Sequence, residues 1–373
     1  LNFDEDVFKY LKDMIMIPSF SLEEKELARY VGGKLTDFGF RTTFQYISDK
    51  SENVIASWEG NKRTPTVIMA GHLDTVSPVA GWNTDPFTPH EAGDRIYGLG
   101  SCDMKGGIAV ILAIAKAVAT KSVPFEGSLS VVLVADEEGY SSGIKKAIES
   151  GLKADVAFMV EPHFYSVVVG AVGKVLVLGD VQGKAGHASD PSTGINAIEE
   201  TAKFISNLQY LKLPAYPNFN PQPYVTLNIK GGYERYSVTI PDNCHFSLNK
   251  HLVPGETKEN VIEQLKKSAS DLNLIADFRF KIGEPFYPPY IVNKDLFYIN
   301  FLKDIYKNIV GQDLELEYSS GVSDSNCLVG FAGIDTIEFG PSGDGMHSAN
   351  EWVSKTQILK SIQIYSNVLS KIS

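Results

Sequence analysis

The sequence is poor in cysteine. Only Cys102, Cys244 and Cys327 occur in 373 residues, odd in number and far apart. With no CxxC pair, a disulfide framework and a thiolate zinc knuckle are both excluded. Thiols this sparse suit a reducing compartment, so a cytoplasmic location is expected. Basic residues are outnumbered as well: 34 Lys and Arg face 45 Asp and Glu, for a net charge of −11. No Lys/Arg cluster is available to neutralise phosphates, which excludes nucleic acid as a partner. Long apolar runs are missing too. The longest, "IAVILAIAKAVAT" (108–120), is too short to span a bilayer and carries Lys116. It reads as a buried helix, and no membrane partner is expected. The opening "LNFDEDVFKYLKDM" is acidic and amphipathic, unlike a basic leader with an apolar core. A leader removed ahead of Leu1 is left open by that reading.

What is present is a globular balance, with 43% hydrophobic and 21% charged residues, in a chain long enough for two domains. Residues 3–38 read as two helices. The second opens with Ser21 and carries Glu24 three positions on, a capping-box pattern. Strands and helices then alternate: "TVIMAG" (66–71), helix 106–120, "LSVVLVA" (129–135), helix 142–150 and "VAFMV" (156–160). This predicts an α/β fold with a largely parallel sheet flanked by helices. After Gly173 the order becomes "KVLVLGDVQG", helix "GINAIEETAKFISNLQYL", strands near 223–230 and 237–250, helix 257–271 and strand "ADFRFKI" (276–282). That βαββαβ order is an open-faced sandwich. The Pro-rich "GEPFYPPY" (283–290) suits a return linker. Helix 295–310, strand 335–340 and helix 354–371 follow. The expected organisation is a domain of residues 1–173 and 286–373, interrupted by an inserted domain of residues 174–285.

Sites in parallel α/β sheets open outside the carboxyl ends of the strands. After "TVIMAG" come His72 and Asp74; after "VVLVA" come Asp136, Glu137 and Glu138; after "VAFMV" comes Glu161. "TIEFG" is followed by "PSGDGMHSANE", with Asp344 and His347, and Asp103 in "GLGSCDMKGG" precedes the apolar helix. A strand-end acid is ordinarily a solvated cap; this many at equivalent positions point instead to one rim. Carboxylates and imidazoles without thiolates are ligands for zinc or a similar divalent ion, and acids so crowded repel unless a cation is present. In "HLD" both side chains lie on one face of an extended segment, so Asp74 can hydrogen-bond His72 and fix its tautomer. Glu137 and Glu138 are adjacent, so within a strand they would point to opposite faces and could not share one site; here the strand has stopped, and Gly139 is expected to let the chain turn.

The motifs "GHLDTV", "YGLGSCDMKGG", "DEEGYSSG", "EP", "GKAGHASDPSTGINAI" and "GDGMHSANEWV" occur in one order along nearly the whole chain. In that order they resemble the dinuclear zinc hydrolases that include acetylornithine deacetylase, succinyl-diaminopimelate desuccinylase, glutamate carboxypeptidases and peptidase T tripeptidases. The resemblance implies a zinc-exopeptidase-like catalytic domain and a ferredoxin-like inserted domain for lid closure or homodimerisation. It implies two divalent ions, Zn2+ first and Co2+ or Mn2+ next. Asp103 would bridge them, His72 and Glu161 would complete one, and Glu138 and His347 the other. Asp74 would support His72, and Glu137 would be the general base. His187, in "GKAGHAS", would reach from the partner subunit toward the developing oxyanion. A cis peptide at Asp103–Met104 is also implied.

One departure stands out. Where the family offers an Asn three residues before Pro241 and an Arg ten after it, this chain has Val238 and His251. Neither forms a fork for a carboxylate, and Arg235, Lys250 or His251 are the candidate substitutes. The expected function is metal-dependent hydrolysis of the amide bond of a small N-acyl amino acid. A dipeptidase, tripeptidase or carboxypeptidase on the same scaffold is the alternative, and a noncatalytic metal-dependent binding module is the alternative of another class.

Overall fold

The computed structural model describes residues 3–220 and 222–373; Leu1 and Asn2, which open the first amphipathic segment, lie outside the described residues. The strands used below are β1 Arg41–Ser48, β2 Ser51–Glu59, β3 Thr66–His72, β4 Ser128–Val134, β5 Val156–Met159, β6 Ser166–Ala171, β7 Gly173–Gln182, β8 Val225–Gly231, β9 Asn243–Leu252, β10 Asp277–Tyr287 and β11 Thr336–Glu338. The helices are α1 Phe3–Ile15, α2 Lys25–Asp37, α3 Gly106–Ala119, α4 Ser142–Glu149, α5 Ala197–Asn207, α6 Lys258–Asp271, α7 Phe297–Val310, α8 Asp324–Ala332 and α9 Lys355–Ile372. The chain divides into two units. One comprises residues through Gly170 with Val292–Glu317 and Ser323–Ser373; the other comprises Ala171–Ile291 and Tyr318–Val322.

The first unit is built on a mixed sheet in the order β1-β2-β4-β3-β5-β11-β6. Its centre is parallel: β3 pairs in parallel with β4 and β5, and β5 with β11. The flanks β1–β2, β2–β4 and β11–β6 are antiparallel. Central strands of this kind are apolar on both faces, which is why β3, β4 and β5 read as continuous runs. Helices α2, α3 and α4 pack on the sheet, α2 on β1 and β2, and α9 packs on α3 and α7. Helix α3 is apolar all round and buried nearly throughout, as a core helix is. Lys116 near its end extends outward to Asp6, at 2.5 Å. Among the described residues no helix is long and apolar enough to cross a membrane.

Three expectations fail locally. The Ser21–Glu24 pair is not a capping box. Helix α2 begins at Lys25 with no side-chain cap; the Ser21 hydroxyl donates to Asp74 and Glu24 accepts from the Asp136 amide. Polar groups at a helix entrance serve whichever buried partner is nearer. "GEPFYPPY" is only partly a linker, because β10 runs on to Tyr287. A register break between Gly283 and Phe286 absorbs Pro285, the place where a sheet tolerates a residue without an N–H. Finally, α8 was not anticipated. Its first turn is polar, which hides the helical period, yet Ser323 and Asn326 form a true capping box there.

The second unit is a four-stranded antiparallel sheet in the order β8-β9-β7-β10, with α5 and α6 packed against it and each other. Strand β9 starts at Asn243 rather than near 237, since Thr239 instead bridges to His187. Phe204 of α5 centres the core, with the rings of Phe246, Phe278 and Phe280 at 5.6, 5.2 and 5.4 Å between centroids. Phe204→Ala would leave a cavity among those rings and is expected to destabilise the protein by about 3–5 kcal/mol. Urea-denaturation midpoints of the two proteins measure it; a loss under about 1 kcal/mol would mean the rings collapse inward.

Candidate metal centre

Four of the five candidate ligands come after or at the end of a central strand. His72 is the last residue of β3, Glu138 follows β4, Glu161 follows β5, and His347 lies in the loop after β11. Asp103 comes from Ser101–Lys105, a single wide helical turn leading into α3, and its peptide bond to Met104 is cis. Because β4, β3, β5 and β11 are parallel neighbours, residues separated by up to 275 positions in the chain meet on one rim.

The meeting is ordered. Asp103 turns one oxygen to each imidazole: Oδ1 lies 2.9 Å from His72 Nε2, and Oδ2 lies 3.4 Å from His347 Nε2. His72 Nε2 is also 3.7 Å from Glu161, and His347 Nε2 is 2.8 Å from Glu138. The ligand atoms of His72, Asp103 and Glu138 all lie within 4.8 Å of one another. All five predicted ligands are thus brought together, in two histidine–glutamate pairs sharing Asp103.

The electrostatics are those of crowded negative charge. Burial pushes the Glu161 carboxyl up to about 8, opposed by His72 and reinforced by Asp103. Burial, with the repulsion of neighbouring acids, likewise raises Glu137 and Glu138. Hydrogen bonding to Asp103, together with Glu138, pushes His347 up to about 9. Burial works against a charged His72, yet Glu161, the hydrogen bond to Asp103 and the nearby Asp74 carboxylate outweigh it and raise its pKa. The same contacts hold Asp103 below the ordinary carboxylate range despite its burial. Protons on the imidazoles therefore do here what a cation does better, and metal binding at such a site displaces them. Imidazole nitrogens and carboxylate oxygens facing a common point fit a divalent ion.

Asp74 departs from expectation. His72 Nδ1 donates to the backbone carbonyl of Asp74 at 2.9 Å, while the carboxylate stands 3.6 Å away, too far for a hydrogen bond. That carboxylate instead accepts the N–H groups of Glu137 and Glu138, at 3.0 and 3.1 Å, and the Ser21 hydroxyl at 2.7 Å. It clamps the backbone of both glutamates after the strand stops. Gly139 is also needed for another reason than the one expected. Asp136 takes the positive φ, at 63°, and a Cβ on Gly139 would lie 2.3 Å from the Asp136 carboxylate. Asp136 itself bonds back to Ser142 at the start of α4 and has no part in the cluster. Asp344 is exposed.

Elsewhere in this unit His163 lies between Glu317 and Glu338, 3.3 and 3.7 Å away, and not among the ligands. Two groups escaped the sequence reading. Glu24 is buried behind the strand end, and Glu351 accepts the amides of Gly100, Cys102 and Asp103. Glu351 sits in the quoted "HSANE", so its only signal was proximity to His347. In the second unit His187 is exposed, its Nδ1 2.7 Å from Ser189 Oγ, and Arg235 is exposed. Lys250 corrects the expectation for an anchor. Its side chain is fully buried, with Nζ 2.7 Å from the His251 carbonyl and 3.4 Å from Glu256, so it is an internal cation.

Comparison with known proteins shows the family. Residues 68–371 match the peptidase family M20/M25/M40. The chain is 29% identical over 314 residues to succinyl-diaminopimelate desuccinylase of Nautilia profundicola, covering 81% of this chain and 83% of that one. Its fold is similar to that of aminopeptidase PepT from Bacillus cereus, with a TM-score of 0.81 at 19% identity over 99% of this chain and 98% of that one. It is also similar to the Bacillus subtilis YXEP protein, a dinuclear metal binding peptidase, with a TM-score of 0.76 at 16% identity over 99% and 98% of the two chains. With the match extending over most of its length, the chain belongs to peptidase family M20/M25/M40 and is a hydrolase.

Proposed function

We propose that this protein hydrolyses the amide bond of a small N-acyl amino acid, with a pair of divalent cations, zinc first, held by Asp103, His72, Glu161, Glu138 and His347. The observation that carries the reading is Asp103, whose two oxygens each face a different histidine–glutamate pair. Bound cations supply an activated water and polarise the scissile carbonyl. The chain's own residues do the rest. Glu137, whose backbone is clamped by Asp74, accepts the proton of the attacking water and returns it to the leaving amine. Asp74 acts by position, since it holds Glu137 and Glu138 in one turn while its carbonyl orients His72. The relatives named desuccinylase support an acyl amino acid. Short peptides are the second reading, supported by the likeness of the fold to that of aminopeptidase PepT.

The second unit's part is assembly and substrate capture. Strand β8 is an edge of its sheet, with Val225, Leu227 and Ile229 exposed. An unprotected apolar edge is a pairing surface, and a second copy across a two-fold axis is the occupant this reading assigns. His187 would then donate to the oxyanion of the partner's substrate. Arg235 and His251 remain the anchors for a substrate carboxylate. The cytoplasm is the compartment assigned, since the three cysteines are buried thiols.

Zinc- or cobalt-loaded protein is expected to release amino acid from N-acetyl or N-succinyl substrates in an amine-release assay, and a chelator should abolish it. Cleavage of dipeptides or tripeptides alone would turn the reading to a peptidase. Glu137→Ala should keep its metal and lose turnover by about 100- to 10,000-fold, whereas Glu138→Ala should lose metal by elemental analysis. Two variants equal in both respects would undo that division of labour. Sedimentation is expected to give a dimer, with His187→Ala lowering kcat; a fully active monomer would rule out a partner's histidine.

A further inference from the structure

Of the segment "GDGMHSANEWV", the reading above uses only His347. Glu351, four residues on, is 2% exposed. Its Oε2 accepts the Gly100 N–H at 2.7 Å, and its Oε1 accepts those of Cys102 and Asp103 at 2.8 and 2.9 Å. Its backbone carbonyl accepts the Gly98 N–H at 3.1 Å. The short strand Trp352–Ser354 pairs antiparallel with Arg95–Tyr97, which brings residue 351 to residue 98. Three amides in and before the turn carrying Asp103 thus hang from one side chain.

That turn could not hold itself. Gly100 has φ 73°, and Asp103 and Met104 leave helical geometry inside the wide turn. The N–H groups of Gly100, Cys102 and Asp103 therefore converge on one acceptor instead of pointing along a helix, while that of Ser101 turns to the Gly98 carbonyl. Buried amides need acceptors, and a carboxylate is the acceptor that can serve three at once. The placement matters for more than stability. The N–H that Glu351 holds and the carboxylate that reaches both imidazoles belong to the same residue, Asp103. Glu351 also shares its segment with His347. Asn350, between them, holds the neighbouring loop, accepting the Asn83 N–H at 2.8 Å and donating to the Gly81 carbonyl at 3.2 Å.

We propose that Glu351 is a positioning residue of the metal centre, whose carboxylate aims Asp103 so that one oxygen serves each half of the pair. This rests on the two-cation reading above. In Glu351→Gln one oxygen becomes an NH2 group that faces an N–H donor. The turn then loses at least one bond, and Asp103 is free to swing toward one imidazole. Because the two histidine–glutamate pairs are intact, one ion still binds.

The test is cobalt titration of metal-free protein, followed by visible absorption and by elemental analysis after dialysis, with thermal unfolding of the metal-free forms alongside. The parent protein is expected to take two ions per chain. Glu351→Gln should take the first with affinity within about threefold, and the second about 10- to 100-fold more weakly, the usual cost of losing a partner behind a ligand. Glu351→Asp keeps the charge with shorter reach, and should restore part of the second affinity. Two ions bound as tightly by both variants as by the parent would overturn the proposal. So would loss of both ions in proportion to a lower metal-free melting temperature, which is the mark of a merely structural residue. Should Glu351→Gln fail to fold, Glu351→Asp decides by the same comparison. A parent protein that binds fewer than two ions would instead defeat the two-cation reading, and this proposal with it.

Discussion

Negative charge crowded at the ends of four parallel strands is the constraint on which the first unit depends. Parallel pairing of β4, β3, β5 and β11 sets their carboxyl ends side by side, and the chain places an acid or a histidine just beyond each. Like charges at such range oppose one another and oppose burial. The raised proton affinities of Glu137, Glu138 and Glu161 express that opposition. Two imidazoles relieve part of it, and a site so arranged calls for cations to relieve the rest.

A second set of buried acids makes the first set possible. Asp74, Glu24 and Glu351 face backbone amides. Each takes the N–H groups of a segment that has just left regular structure and has no helix or strand to satisfy them. Asp74 holds the turn of Glu137 and Glu138, Glu24 holds Asp136 before it, and Glu351 holds the turn of Asp103. The adjacent glutamates are thus separated in role by the backbone turn that Asp74 secures. A ligand and a proton acceptor can be neighbours because the strand has stopped.

Much of this was legible in the sequence. Apolar, β-branched runs marked β3, β4 and β5, and the residues after them marked the rim. The unbroken apolar stretch at 108–120 marked α3 as internal, and the βαββαβ order of the second unit followed from alternating segment types. Where the reading failed, a polar residue had two available partners and local spacing named the wrong one. Ser21 and Glu24 had the spacing of a helix cap but turned to Asp74 and Asp136. Helix α8 was hidden because its first turn is polar yet buried, which hydrophobic period does not report.

The sequence by itself determined which chemical groups would stand at the strand ends, because strand periodicity and chain order suffice to place them. Only the tertiary structure decided how they are shared. That Asp103 gives one oxygen to each histidine, that Asp74 clasps amides more than 60 residues away, and that Glu351 serves a turn some 250 residues before it are contacts across great chain separation. Lys250 is the same lesson in reverse. It stood as a candidate anchor for a substrate carboxylate, and the packing of its own sheet enclosed it. Spacing along a chain carries information within an element, whereas the direction of a carboxylate is set by whichever donors the fold delivers to it.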